Sequence, residues 1–520
     1  MKKILIFLIA AAVLAAAVVI AFKRSAAAPG ALFAEDTILY AGTCSPLKIS
    51  TSVKFAEAEE FLRENTTFSE EKICAVNKWF RGLSGGEIGF RSVSIVPFET
   101  DGALVLSGTS KTRLADLLRP ELDEYLSDDE AYRGVDVCKF VLDELKFTAT
   151  LYISSPVKKR TVIASSRKSL METIDRIIDG GRSLADNEEF AGLLCQPEMR
   201  GADTILYVDI SRYYDLLSIR KPVLPSVAEM RDLIVSELRL NGFVAAMIGT
   251  RFDFSSQTLI KVNEENPFYR QLQNTGALNL PYVPATVSQF SFFRLADLDA
   301  AANRFFDILM RIAPIAADFG VNINLTVNQI PVYSGVVSSV LNGEFGVWRN
   351  NELSGASSFC VYAGLKNAAQ LRALLMMLPA ERDGDISFMK GDNRFCWNLN
   401  DERLLISNSR ALLRASLNDS LPSLTDTEEF KTMANGTRAD YSAVSYSSHF
   451  KLTRSPRVLA IDELAPLLNM LSGLRKFSVS TAENGMIKTQ SKTAGEIDRD
   501  DLLMALRPYF RFLKEQADKK

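Results

Sequence analysis

Apolar and polar residues change places along this chain with two different periods. "RTVIA", "FTATLYI", "GFVAAMIGTRFDF", "QTLIKV", "KFSVST" and "GMIKTQSKT" are short runs rich in β-branched and aromatic residues. Their apolar positions recur at or near every second residue, which predicts strands. Stretches near 53–64 and 297–312 instead space their apolar residues along one helix face. A second helix in each region ends in a glycine turn, "LSGGE" or "LNGE". Helices start at Ser166 and Ser409, and again at "SLADNEEF" and "SLTDTEEF". Hairpin-like strand pairs with clustered helices predict an α+β fold with mainly antiparallel sheets and packed helices.

The order of elements repeats. "SLADNEEF" (Ser183 to Phe190) returns as "SLTDTEEF" (Ser423 to Phe430), "GEIGF" (Gly86 to Phe90) as "GEFGV" (Gly343 to Val347), and "VIASSRKSL" (Val162 to Leu170) as "LISNSRALL" (Leu405 to Leu413). The order is preserved and the shifts are similar, roughly 240 to 257 residues. A tandem duplication predicts two α+β domains, 31–265 and 283–520, joined by a linker at 266–282 rich in Asn, Gly and Pro. A shorter repeat lies inside the first domain: Asp-Thr-Ile-Leu-Tyr stands at Asp36 to Tyr40 and again at Asp203 to Tyr207. Its pattern suits two strands, with Ile and Tyr toward one face and Leu toward the other.

One run departs from both periods. Ile4 to Phe22 is apolar without a charge, after Lys2 and Lys3 and before Lys23 and Arg24. At roughly 1.5 Å per residue it reaches about 28 Å, the hydrocarbon thickness of a bilayer. Residues 1–30 are therefore expected to act as a signal anchor in the inner membrane, with the body extracytoplasmic (periplasmic). The alternative is a secreted or periplasmic chain after cleavage at "SAAAPG".

Composition narrows the chemistry. The chain of 520 residues is 47% apolar and 24% charged, with a net charge of −3, so no basic field for nucleic acid exists. A single histidine, His449, excludes a multi-histidine zinc site. The six cysteines are scattered without a C-x-x-C pair; Cys360 and Cys396, both in strand-like runs of the second domain, are the candidate disulfide.

The remaining motifs weigh toward structure. In S-L-x-D-x-E-E-F, Asp186 with Glu189, and Asp426 with Glu429, read as helix caps. Ser165 and Lys168 spell S-x-x-K, a serine-nucleophile motif, but Asn408 and Ala411 replace them in the second copy. Glu87 and Glu344, each after a glycine turn, are the weak functional candidates, otherwise surface residues at a strand start. Asn65 begins a glycosylation sequon, and Asp501 to Lys520 reads as an amphipathic helix with a basic end.

The "D-T-x-L-Y" strand, the "L-x-D-x-E-E-F" helix, the "A-D-x-x-L-Y-V" strand and the exported anchor together resemble an uncharacterised bacterial family. Its members are secreted or membrane-anchored envelope proteins carrying a domain of unknown function. The resemblance implies an extracytoplasmic α+β fold and transfers no catalytic residues. The second copy departs from it, with "PATVSQF" in place of the opening strand.

Taken together, the residues predict a non-enzymatic envelope protein, a scaffold or binding surface without cofactor. Its expected partners are the membrane through residues 4–22 and an envelope protein or a second copy. The alternatives are a ligand carrier or sensor with a pocket between the copies, and a hydrolase using carboxylates or Ser/Lys.

Overall fold

The computed structural model describes residues 28–43, 69–71, 73–75, 83–95, 98–108, 126–144, 147–157, 160–199, 202, 204–209, 212, 240–250, 253–262, 267–273, 278–318, 330–350, 358–390, 392–438, 440–448 and 475–494. The apolar run 4–22, the stretch near 53–64, Asn65, His449 and the C-terminal stretch 501–520 lie outside them. Among the described residues no helix is long and apolar enough to cross a membrane.

Strand formation follows the alternation. The first half of the chain carries β1 (Leu39–Thr43), β2 (Leu83–Ile95), β3 (Phe98–Gly108), β4 (Leu126–Tyr132), β5 (Val135–Glu144), β6 (Phe147–Val157), β7 (Arg160–Ala164), β8 (Thr204–Asp209), β9 (Leu240–Thr250) and β10 (Asp253–Val262). The second half carries β11 (Gln289–Arg294), β12 (Leu341–Asn350), β13 (Ser358–Leu365), β14 (Ala380–Asp383), β15 (Ile386–Met389), β16 (Asp392–Leu399), β17 (Arg403–Ser407), β18 (Ala443–Ser447), β19 (Arg475–Glu483) and β20 (Met486–Ala494). All pairings between these strands are antiparallel, in agreement with the α+β expectation.

The spatial order in the first half is β4-β5-β6-β7-β3-β2-β1-β8-β9-β10. Raising every number by ten gives the order in the second half. One further pairing, β10 with β20, joins the two series into a single sheet. The outer edges are β4, which carries Asp128, Asp129 and Glu130, and β14, four exposed residues with three charges. Charged and short edges of this kind oppose strand addition.

The two Asp-Thr-Ile-Leu-Tyr copies are adjacent strands. β1 pairs with β8 so that Tyr40 lies directly opposite Tyr207. Ile38, Tyr40, Ile205 and Tyr207 are buried, whereas Leu206 is 39% exposed. Phe190 lies edge-on to both tyrosines, with ring centroids 5.5 Å and 5.0 Å away. In the second half Phe290 stands opposite Tyr446, and Phe430 lies 5.5 Å from Tyr446. The aromatic packing is kept where the letters are not.

Helices cover the sheet through faces set by their sequence. In α1 (Arg167–Asp179), Ser169, Leu170, Thr173 and Ile174 are buried, the three-and-four spacing of one face. Ser166 caps it, accepting from the Ser169 N–H. In the second half, after α4 (Leu298–Asp318), α5 (Ile330–Val340) and α6 (Ala368–Leu375), α7 (Arg410–Leu417) buries Leu412, Leu413 and Ser416 and is capped by Ser409. Two further helices, α2 (Glu188–Leu194) and α8 (Glu428–Ala434), supply Phe190 and Phe430 to the cores. The stretch expected to be a linker carries α3 (Pro267–Gln271), which packs on the second half: the Tyr269 hydroxyl accepts from the Gly485 N–H at 2.9 Å.

The cap assignment moves by one residue. Asp186 accepts from the Ser183 N–H and hydroxyl and closes the preceding 3-10 turn. The α2 cap is Asn187, whose side chain accepts from the N–H groups of Glu189 and Phe190. Thr427, not Asp426, caps α8. Two overlapping turns share the motif, and the N–H groups of each helix are aimed at the residue directly before it. Among the described residues neither Glu189 nor Glu429 makes a cap hydrogen bond: Glu429 accepts from Tyr446 of β18 at 2.6 Å, and Glu189 Oε1 is shielded without a partner.

The candidate disulfide is absent: Cys360 and Cys396 are buried thiols. Both pair with Ser407, from opposite sides of β17. Two strand spacings separate their Cα atoms, about 9–10 Å, beyond the roughly 7 Å a disulfide spans. Burial pushes the Cys360 thiol pKa up to about 12.

Candidate site at the seam between the halves

The seam has an internal symmetry readable from its register. In β10 and β20 alike, the fifth residue is glutamine, Gln257 and Gln490. The β10–β20 ladder places these two directly opposite each other. A residue facing its own counterpart across an antiparallel pair marks a local two-fold axis.

Corresponding loops lie over this point. In the first half the segment after α2 forms a short turn, Pro197–Met199, that brings Glu198 to the seam. In the second half the segment after α8 brings Arg438 and Asp440. Lys488, on β20, is buried and takes Glu198 at 2.7 Å and Glu483 at 3.0 Å. Arg438 takes Glu483 at 3.0 Å and Asp440 through two nitrogens, at 3.1 and 3.2 Å. The Gln490 amide is held in turn by the Arg438 N–H and the Gly436 carbonyl. Charges thus alternate from Glu198 through Lys488, Glu483 and Arg438 to Asp440, crossing from one half to the other. Hydrogen bonds from Arg438 and Lys488 hold the Glu483 carboxyl below its ordinary pKa. The Arg438 contact likewise lowers Asp440.

Between these groups is a pocket of about 140 Å³, lined from the first half by Glu198 and Gln257 and from the second by Arg438, Tyr441, Lys488 and Gln490 among others. Met486 extends the contact, packing from β20 into the first-half core.

The residues picked from sequence lie elsewhere. Glu87 is buried, not on the surface: it accepts from the Tyr40 hydroxyl at 2.7 Å and from the Gly30 N–H at 3.3 Å. Glu344 is half-buried against Arg294, bonded at 3.0 Å from Nε. Ser165 accepts from the Gly102 N–H, and Asn408, its counterpart, accepts from the Phe359 N–H. Both side chains tie a helix start to the β3 or β13 strand, while Lys168 is exposed. The seam residues were missed because none forms a local motif. The one signal was the shared glutamine in "DFSSQTLIKV" and "MIKTQSKTA".

A second, more open depression in the first half is lined by Arg91, Arg176, Arg182 and Arg212 with Glu35, Asp36 and Glu172. Its charges bind one another, Arg91 to Asp36 and Glu172, and Arg182 to Glu35, which reads as a surface ion network. Among the described residues no group of three or more His, Cys, Asp or Glu side chains is placed to hold a metal ion.

No family model matches the chain, and no curated protein does. Among solved structures, crystal forms IV, III and I of TP0453 are similar over 45%, 46% and 46% of this chain and 80%, 82% and 80% of theirs. The identities are 11%, 10% and 11%, and the TM-scores 0.24, 0.26 and 0.25, a level that carries no functional argument.

Proposed function

We propose that the chain is a non-enzymatic scaffold or binding protein of the cell envelope. Two tandem, duplicated α+β domains, 31–265 and 283–520, stand outside the inner membrane on a signal anchor that includes residues 4–22. The observation that carries this reading is the shared strand order of the two halves and their junction at Gln257 and Gln490. A duplicated frame joined into one sheet suits a body that holds a surface in place. The uncharged run Ile4 to Phe22, with lysines before it, supports the membrane attachment and its direction. The resemblance to secreted and anchored envelope proteins agrees with both. Its partner in this role is an envelope protein or a second copy.

Fractionation of cells producing the full chain tests the reading. The chain is expected in the inner-membrane fraction, with its body digested by protease added to spheroplasts and protected in intact cells. A body that stays protected in spheroplasts, or a chain recovered from the cytoplasm, overturns it. A hydrolytic activity that co-purifies with the chain and disappears in a Glu87→Gln or Ser165→Ala variant overturns the non-enzymatic part.

A further inference from the structure

Away from the seam, one stretch of the second half carries large apolar side chains in the open. Between Arg372 and Glu381 the chain reads "ALLMMLPA", Ala373 to Ala380, without a charge. All of it except Leu375 is exposed. Leu374 is 41% exposed, Met376 71%, Met377 81% and Leu378 42%. Large apolar groups gathered in this way on a surface mark a contact. The stretch begins in the last turns of α6 and ends on β14. Leu371, one turn earlier, packs with Val340, Leu365 and Ala368, so the exposed end stands on a fixed base. The architecture does not demand the composition. In the first half the segment leading into β4 carries Arg119, Glu121, Asp123 and Glu124.

We propose that this tip, Ala373–Ala380, inserts into the acyl-chain layer of a lipid bilayer. Shape favours lipid over a protein partner. Met376 and Met377 stand clear of the body, and acyl chains close around any convex tip, whereas a protein needs a matching pocket. The backbone points the same way. The Met376 N–H donates to the Arg372 carbonyl at 3.0 Å, Met377 to Leu374 at 3.2 Å and Leu378 to Leu375 at 3.1 Å, and Pro379 has no N–H. These donors enter hydrocarbon already satisfied. The Lys390 N–H donates to the Pro379 carbonyl at 2.8 Å, which sets an exposed lysine at the base of the tip. Its long side chain can lie along the apolar surface with the ammonium among the headgroups. Glu381 and Arg382 are exposed at the same base, so the contact is with acyl chains and not with a particular headgroup charge. The inference rests on the reading of the chain as a membrane-held body, and adds a second contact to that of residues 4–22.

Photocrosslinking tests it on the full-length chain, reconstituted into phosphatidylcholine vesicles that carry a diazirine in the upper acyl chain. After irradiation the chain is denatured, digested with trypsin and read by peptide mass. Cleavage after Arg372 and Arg382 releases the tip as one peptide, Ala373–Arg382. Lipid adducts are expected on that peptide. A Met376→Gln, Met377→Gln chain is expected to lose about tenfold in yield there, with adducts on Ile4–Lys23 unchanged. Added phosphatidylglycerol is expected to leave the yield within about twofold, and a larger dependence overturns the acyl-chain assignment. An undiminished yield in the double variant overturns it as well. No adduct on Ala373–Arg382 beside adducts on Ile4–Lys23 overturns the tip and leaves the anchor standing. Adducts on the tip with none on Ile4–Lys23 do the reverse, and no adduct on either peptide overturns both.

Discussion

Tyr446 and Tyr207 occupy matching places and have different partners. The Tyr446 hydroxyl donates to Glu429 at 2.6 Å, and Arg475 binds the same carboxylate at 2.7 Å. In the first half the Tyr207 hydroxyl and Glu189 Oε1 are both shielded and without hydrogen-bond partners among the described residues. One substitution should therefore act differently at the two sites. Tyr446→Phe is expected to cost about 1.5–3 kcal/mol, the range for a hydrogen bond to a charged group; Tyr207→Phe removes an unsatisfied hydroxyl and costs under about 0.5 kcal/mol. Denaturant midpoints of the two variants check this, and equal losses would contradict it. Burial raises the Glu189 pKa. A carboxyl raised in the folded state stabilises below its unfolded value and loses that contribution as pH rises through the folded one. Glu189→Gln is thus expected to raise the midpoint at pH 7 and to change little at pH 4. The cysteines offer a separate check. Without reductant, Cys360 and Cys396 should resist a thiol reagent in the native chain and both react in guanidinium, followed by peptide mass. Residue types were legible from sequence here, but the partner of each acid was not. S-L-x-D-x-E-E-F fits two successive turns equally well, and only the direction of the N–H groups decides between Asp186 and Asn187.

Strands and helices were more legible than single contacts, because burial on one face writes a period into the sequence. The tyrosines of β1 and β8 show where legibility stops. Their alternation announces strands, yet nothing local says that the two copies of Asp-Thr-Ile-Leu-Tyr pair with each other, since residues 167 positions apart must meet. The linker expectation had the same weakness: Asn, Gly and Pro mark irregular chain but not where it docks, and α3 docks on Gly485. At this scale the caps supply the test. Thr427→Ala and Asn187→Ala are each expected to cost about 1 kcal/mol of unfolding free energy. Asp426→Ala, on the preceding turn, is expected to cost less than about 0.5 kcal/mol, since no side-chain cap bond is made there. A larger loss from Asp426→Ala than from Thr427→Ala would restore the cap to the aspartate.

At the scale of the whole molecule, one strand pair and one run of charges join the halves, beside the α3 and Met486 contacts. Glu483 is held below its ordinary pKa, so its contribution to stability is present above the unfolded value, near 4.5, and fades as pH falls through the folded one. Glu483→Gln is expected to lower the unfolding midpoint at pH 7, with the difference from the unmodified chain shrinking at pH 3.5. An equal difference at both pH values would remove the charge network from the account. The repeat of motifs predicted a repeated order of elements, but not how the two strand series join, because the register at Gln257 and Gln490 is set by contacts more than 200 residues apart. The most direct test is oxidative cross-linking of a Gln257→Cys, Gln490→Cys chain, with linked peptides identified by mass. The account predicts a 257–490 link within a single chain, and none when Gln257→Cys is combined with Thr489→Cys, whose side chain leaves the opposite face of the sheet. No 257–490 link, or a link found only between chains, would contradict the joined sheet.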